Sequence, residues 1–295
     1  MTTQKTSATA NEYLQAAQRK HNLLNQYSHQ HFSKYRDVYL EKSLKLNSRN
    51  PDAYYFKSQL ADNYTDELIL LNKALKYNST HAPSLARKSA MESSFYSEIY
   101  NKIATSDMAY LKKAIQNKLL VEIENYQNNN PLEYAIYTNQ TAVIDFFIKN
   151  KYALHRSVST NIQSLLYFAV ENKASKSTDF LINKKYAKAN YQFSGKENLV
   201  ILATKNNDPS TVKILLNARA KSDVKDRSGK TALDIAIQED YYQVAEILLK
   251  KVTVSMLPKE YLFTAIKNRS YNMVEILVRK GMSIKVTDQE QHTPC

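Results

Sequence analysis

The chain has 295 residues, 43% of them hydrophobic and 11% aromatic, and carries 41 Lys and Arg against 28 Asp and Glu for a net charge of +13. This is a globular composition, and only 3 Gly and 6 Pro argue against a β-sandwich or a dinucleotide-binding α/β domain, whose turns and cofactor loops consume glycine. One cysteine, Cys295, rules out an internal disulfide framework and fits a reducing compartment. The start, MTTQKTSATANE, has no apolar stretch of the secretory kind, and no apolar run approaches the roughly 18 residues of a membrane helix. The positive charge admits nucleic acid, an anionic membrane or an acidic protein as partner and selects none of them. Richness in Lys, Asn, Tyr and Ile without Trp looks like the codon bias of an AT-rich genome, which accounts for part of the charge.

Residues 1–10 are expected to be a disordered tail and residues 11–105 a helical domain. Within that domain EKSLKLNSRNPDAYYF (41–56) and LNKALKYNSTHAPSLA (71–86) align, Leu44 with Leu75 and Asn47 with Asn78, 31 residues apart. Each copy reads as an amphipathic helix ending near an Asn, a polar turn and a new helix. Pro51 and Pro83 fall where a first helical turn tolerates a missing N–H. The pattern resembles the tetratricopeptide repeat in shortened form over about residues 35–90, with NEYLQAAQRKHNLLNQY upstream as a further helix of the stack.

From about residue 107 a second unit recurs: MAYLKKAIQNK, PLEYAIYTNQ, SLLYFAVENK, NLVILATKNN, TALDIAIQED and YLFTAIKNRS. Its alanines are Ala114, Ala135, Ala169, Ala203, Ala236 and Ala265, and the last four spacings are 34, 34, 33 and 29. A second apolar helix follows each segment from Ala135 onward, as in AVIDFFIKN or TVKILLNAR. Two short helices and a polar loop repeating near 33 residues resemble the ankyrin repeat. The fullest match is Asp226-x-x-Gly229-x-Thr231-Ala232-Leu233-Asp234-x-Ala236, and ILVRKGMSIKVTD (276–288) matches the family's second-helix ending. The resemblance covers residues 106–295, about five repeats plus the start of a truncated one. It implies that Gly229 turns a finger, Thr231 caps a helix, and the small alanines let neighbouring first helices approach closely. The fold class expected is all-α, a helical solenoid.

Departures from the family pattern are specific. Lys118, Asn139, Lys173, Asn207, Asp240 and Arg269 replace the glycine that ends the first helix, and a left-handed cap there costs Lys and Arg some strain. The short spacing to Ala265 implies a trimmed loop at VTVSMLPKE with its finger lost. The final TDQEQHTPC reads as the beginning of another repeat.

Ser228-Gly229-Lys230-Thr231 ends like a phosphate-binding loop, yet Val224 stands where that motif needs glycine, and a helix and polar loop precede it rather than a strand. His29 and His31 sit two residues apart, on different sides of a helix, with no third ligand nearby. Cys295 has no credible base, and no other nucleophilic or Gly-rich arrangement appears. No catalysis, cofactor or metal is expected. Asn117, Asn172, Asn206 and Asn268 recur at the ends of first helices, either satisfying those ends or forming an amide ladder open to a partner. Arg219, Lys221, Lys225, Arg227 and Lys230 gather around one finger, either as a solvated loop or as a docking patch for an acidic protein.

The resemblance implies protein binding at the fingertips and the exposed ends of the first helices. Those positions are Arg227, Ser228 and Lys230, with Tyr137, Glu171, Lys205, Gln238, Glu239 and Lys267. Tyr137 is the expected anchor, because aromatics and Arg dominate binding hot spots. Degenerate, Lys/Asn-rich ankyrin arrays on tetratricopeptide-like helices look like effectors that intracellular bacteria inject by type IV secretion. Cytoplasmic residence, in the host cell for an effector, is the corresponding expectation. Nucleic acid is the less favoured partner, peripheral membrane contact is compatible with the basic surface, and an enzyme with its catalytic part beyond this chain is a third alternative.

Overall fold

The computed structural model describes residues 2–27, 30–120, 131–152, 162–192 and 197–285, and among them every regular element is helical. The chain divides into two compact units, Met1–Tyr126 and Gln127–Cys295.

The first unit contains α1 (Thr2–Tyr27), α2 (Gln30–Leu46), α3 (Pro51–Ser58), α4 (Tyr64–Tyr77), α5 (Ala82–Ala104) and α6 (Met108–Gln116). Each helix packs on the next. Leu14, Ala17, Leu40, Ala53 and Phe56 form a buried cluster. The two prolines do what their positions require. Asn50 caps α3 by accepting from the Asp52 and Ala53 N–H groups, with Pro51 in the first turn. His81 caps α5 in the same way, with Pro83 in the first turn, and its Nε2 lies 3.0 Å from Asp52 Oδ1.

Two boundaries differ from expectation. Residues 2–10 are the opening of α1 rather than a tail: Ala10 is fully buried and its carbonyl accepts from the Ser43 hydroxyl at 2.7 Å. Ala10, Leu14 and Ala17 keep helical spacing, so the apolar face simply continues a turn upstream. The division between units falls after Tyr126 rather than near residue 105. Helix α6 belongs with α5, since the Tyr110 hydroxyl donates to Glu98 Oε2 at 2.5 Å and Lys113 pairs with Asp66.

Among the described residues the second unit is a run of five helix pairs. The first helices are α7 (Pro131–Tyr137), α9 (Ile162–Glu171), α11 (Leu199–Lys205), α13 (Ala232–Gln238) and α15 (Glu260–Lys267). The second helices are α8 (Thr141–Lys149), α10 (Ser175–Asn183), α12 (Pro209–Asn217), α14 (Tyr242–Leu249) and α16 (Tyr271–Arg279). First helices contact first helices and second contact second along the whole run. Ala135, Ala169, Ala203, Ala236 and Ala265 are fully buried where those first helices meet, and a small side chain is what permits that approach.

The ends of the first helices share one geometry. Lys118, Asn139, Lys173, Asn207, Asp240 and Arg269 all have φ between 48° and 59°, as the missing glycines require. The N–H of the following residue donates to the carbonyl of the repeat alanine: Ala174 to Ala169 at 2.8 Å, Asp208 to Ala203 at 3.0 Å, Tyr241 to Ala236 at 2.8 Å. Each alanine therefore both spaces the helices and closes its own helix. The second helices end likewise at Lys151, Lys185, Arg219 and Gly281, but α14 does not, and a 3-10 turn (Val254–Met256) replaces a finger in the trimmed connection to α15. Lys173→Gly relieves left-handed strain at one such cap, so it is expected to stabilise the second unit by about 0.5–1 kcal/mol, measured by urea denaturation.

The recurring asparagines serve the helix ends. Asn117 and Asn172 donate to carbonyls of their own helices, at Lys113 and Phe168. Asn206 reaches the preceding repeat, donating to the Val170 and Glu171 carbonyls at 3.1 and 3.2 Å, and Asn268 donates to the Gln238 carbonyl at 3.1 Å. One consequence falls on Thr211. In the preceding repeat Ser177 donates its hydroxyl to the Ile136 carbonyl at 2.8 Å. The carbonyl matching Ile136 is that of Val170, which Asn206 occupies, and the buried Thr211 hydroxyl has no hydrogen bond. Thr211→Val is isosteric and removes that polar burial, so it is expected to raise stability by about 1 kcal/mol in the same assay.

Candidate protein-binding site

The finger around Gly229 is built by Asp226. Its backbone N–H donates to the Lys230 carbonyl at 2.8 Å, and its Oδ1 accepts from the Ser228 and Lys230 N–H groups at 2.8 and 3.0 Å. Gly229 sits at φ 76°, the left-handed conformation the turn needs, with no neighbour within 4 Å of an added Cβ. Glycine is there for backbone angle alone. Immediately after it Thr231 caps α13 in a reciprocal box with Asp234: the Asp234 N–H donates to the Thr231 hydroxyl, while the Thr231 N–H donates to Asp234 Oδ2 at 2.7 Å. Asp234 Oδ1 accepts from the Tyr261 hydroxyl of the next repeat at 2.5 Å. These donors consume the loop, and the turn that looks like a phosphate-binding loop in sequence is a capped finger.

Five of the nine candidate residues are the final residues of successive first helices: Tyr137, Glu171, Lys205, Gln238 and Lys267. All five are exposed, Tyr137 at 58%. Glu239 is exposed one position further on, at the end of α13. The structure brings a central group together. Lys205 pairs with Glu197 and lies 3.4 Å from Asp226 Oδ2, which ties the end of α11 to the finger carrying Arg227 and Ser228. Lys230 bonds the Gln238 side chain through its ammonium. Glu239 adjoins Gln238 at the end of α13, Lys267 ends the first helix of the following repeat, and Glu171 and Tyr137 end those of the two repeats before α11.

A cleft of about 260 Å³ opens between this finger and the preceding one, with Ile201 on its floor and Tyr191, Glu197, Lys225 and Arg227 on its walls. Its charges are balanced. Glu197 raises the Lys205 pKa by hydrogen bonding, with Asp226 adding to the effect against partial burial. Burial raises the Tyr167 pKa, and the negative charges of Glu171 and Glu197 push it further, so that hydroxyl stays protonated. The basic run of the finger thus presents Lys225 and Arg227 around a carboxylate-neutralised centre, with Arg219 and Lys221 further back, where their backbone groups pair with Asn190.

Asp226 and Asp234 both have depressed pKa values. For Asp226 the Lys230 N–H is the largest cause; for Asp234 burial pulls upward but is outweighed by the Tyr261 and Thr231 donors. A depressed carboxylate contributes stability that is present above its ordinary value of 3.8 and is lost as the pH falls through the lower native value. Urea stability is therefore expected to be flat near neutrality and to drop as the pH falls below about 4, with Asp226→Asn showing a shallower drop.

Sequence reasoning missed Tyr242 and Tyr271. They begin α14 and α16, each six residues after the repeat alanine, on the edge where the first helices end. Tyr271 is 91% exposed, the most exposed large apolar side chain among the described residues. The signal was a recurring Tyr just past the helix break. His29, Cys295 and the His31 side chain lie outside the described residues, as does the further repeat expected after residue 285. Among the described residues no three His, Cys, Asp or Glu side chains converge as metal ligands, and no helix is long and apolar enough to cross a membrane.

Residues 166–257, about a third of the chain, match the family model for ankyrin repeats in three copies. No curated protein matches the chain. Similar solved structures include the human ASB11 ankyrin repeat domain, with TM-score 0.48 and 16% identity over 66% of this chain and 89% of that one. The ankyrin repeat domain of Bcl-3 scores 0.42 with 17% identity over 56% and 78%. The Bdellovibrio bacteriovorus predatory endopeptidase Bd0816 in complex with immunity protein Bd3460 scores 0.41 with 23% identity over 55% and 87%. At these scores the neighbours carry no inference about function. The family match, together with the repeated buried alanines and left-handed helix ends, identifies residues 166–257 as ankyrin repeats within an all-α chain.

Proposed function

We propose that the chain is a non-catalytic binding scaffold whose second unit holds a protein partner along the ends of its first helices and its fingertip. Ankyrin repeats are a protein–protein interaction module, and the observation that carries the placement is the exposed row at Tyr137, Glu171, Lys205, Gln238 and Lys267. The scaffold needs none of these side chains for its core, so their exposure is available for recognition. Tyr137 and Tyr271 supply aromatic anchors, and Lys225, Arg227 and Lys230 favour an acidic partner. Helices α2–α5, with capped Pro51 and Pro83 turns, fit a tetratricopeptide-like region that precedes the array in the chain.

The finer reading is a bacterial effector delivered into a host cell, supported by the Lys- and Asn-rich composition and the degenerate helix ends. Partner capture from host lysate tests the binding face. Both Tyr137→Ala and the Arg227→Glu/Lys230→Glu pair are expected to weaken binding by at least about ten-fold, as hot-spot truncation does. Binding unchanged in both variants would refute the placement. Recognition dominated by nucleic acid would show instead as a steep loss of affinity with added salt.

A further inference from the structure

Away from the proposed binding face, the trimmed connection after α14 forms a corner unlike the rest of the array. Lys250 and Lys251 end α14, and the 3-10 turn that follows leaves Met256 74% exposed and Val254 partly so. The Val254 Cγ2 methyl lies 3.3 Å from where a Cβ on Gly281 would sit, which sets this turn against the end of α16. That end carries exposed Val278 and Ile284, with Arg279, Lys280 and Lys285. Four exposed aliphatic or Met side chains therefore share one corner with five cations. Among the described residues nearby acids are few: Glu275 pairs with Arg279, exposed Glu246 stands one turn before Lys250, and Glu260 follows Lys259 where the connection closes.

Each class of occupant makes a different demand. Single-stranded nucleic acid is held by aromatic rings that stack on bases, and among the described residues this corner has none, Tyr271 being at the opposite end of α16. Protein interfaces deplete Lys and favour aromatic and Arg anchors. An exposed turn of Met and aliphatic side chains flanked by Lys fits an interface of acyl chains and anionic headgroups. We propose that this corner docks on an anionic phospholipid surface, with Met256 and Val254 entering the headgroup region and Lys250, Lys251, Lys280 and Lys285 facing lipid phosphates.

Co-sedimentation of the full chain with phosphatidylcholine vesicles, with and without phosphatidylserine, tests this. The chain is expected to bind only the phosphatidylserine-containing vesicles. Lys250→Glu/Lys251→Glu should weaken partitioning by about 25-fold or more, given roughly five-fold per lysine near an anionic surface. Met256→Ser should weaken it by about ten-fold. All three side chains are exposed, so thermal melts of the variants should match the parent chain. Failure to bind the anionic vesicles overturns the proposal, as does binding that both variants leave intact. Binding to a poly-glutamate peptide as tight as to vesicles, and indifferent to Met256→Ser, also overturns it and assigns the corner to acidic protein.

Discussion

Asp234→Ala is expected to lower the stability of the second unit by about 3 kcal/mol. The Asp234 carboxylate accepts from the Thr231 N–H and hydroxyl and from the Tyr261 hydroxyl, so one group closes the N-terminus of α13 and links it to α15. Cap loss alone costs about 1 kcal/mol, and losing charge-assisted bonds while leaving a half-buried Tyr261 hydroxyl adds the rest. Tyr261→Phe removes only the link between repeats and is expected to cost about 1.5 kcal/mol. In the double variant the two costs should fall short of their sum by at least about 1 kcal/mol, because they share one bond. Additive costs in a urea-denaturation cycle would mean that the Asp234–Tyr261 contact contributes nothing.

The second large effect lies at the repeat alanines. Ala203 is fully buried in α11, which packs against both α9 and α13. Ala203→Leu forces three added carbon atoms between first helices that approach closely because the side chain is small. A cost of about 3 kcal/mol is expected, with loss of the single cooperative transition as the neighbouring repeats uncouple. Ala203→Gly leaves the space open and should cost only about 1 kcal/mol. If the two variants were equally destabilised, close packing at this alanine would not be what couples the repeats.

The fold was legible where one residue type answers one physical demand. The alanine period announced the first helices, Thr231 announced a cap, and the positions of Lys173 and Arg269 announced left-handed caps even without glycine. The extent of α1 was hidden because Thr, Ser and Gln before Ala10 carry little helical signal, and only contact with α2 fixes that turn. Helix α6 read as the first member of the array because its alanine and cap follow the repeat pattern, while its side-chain bonds tie it to α4 and α5.

The candidate site was legible as a row and not as a network. Counting two residues past each alanine finds Tyr137, Glu171, Lys205, Gln238 and Lys267 from sequence alone. That Lys205 is neutralised by Glu197 and Asp226, or that Lys230 is held by Gln238, depends on how one finger folds against the next. Exposure of Tyr271 was equally invisible, because it follows from what the adjacent repeat leaves uncovered.

Site-specific photo-crosslinking tests the central claim most directly. A benzophenone amino acid placed singly at Tyr137, Gln238 or Lys267 reports the ends of the first helices, and the same group at Lys213 on α12 reports a second-helix surface. One and the same protein should crosslink from the first three positions and not from Lys213. Crosslinking that is equal at all four positions, or confined to Lys213, would contradict recognition along the first-helix ends.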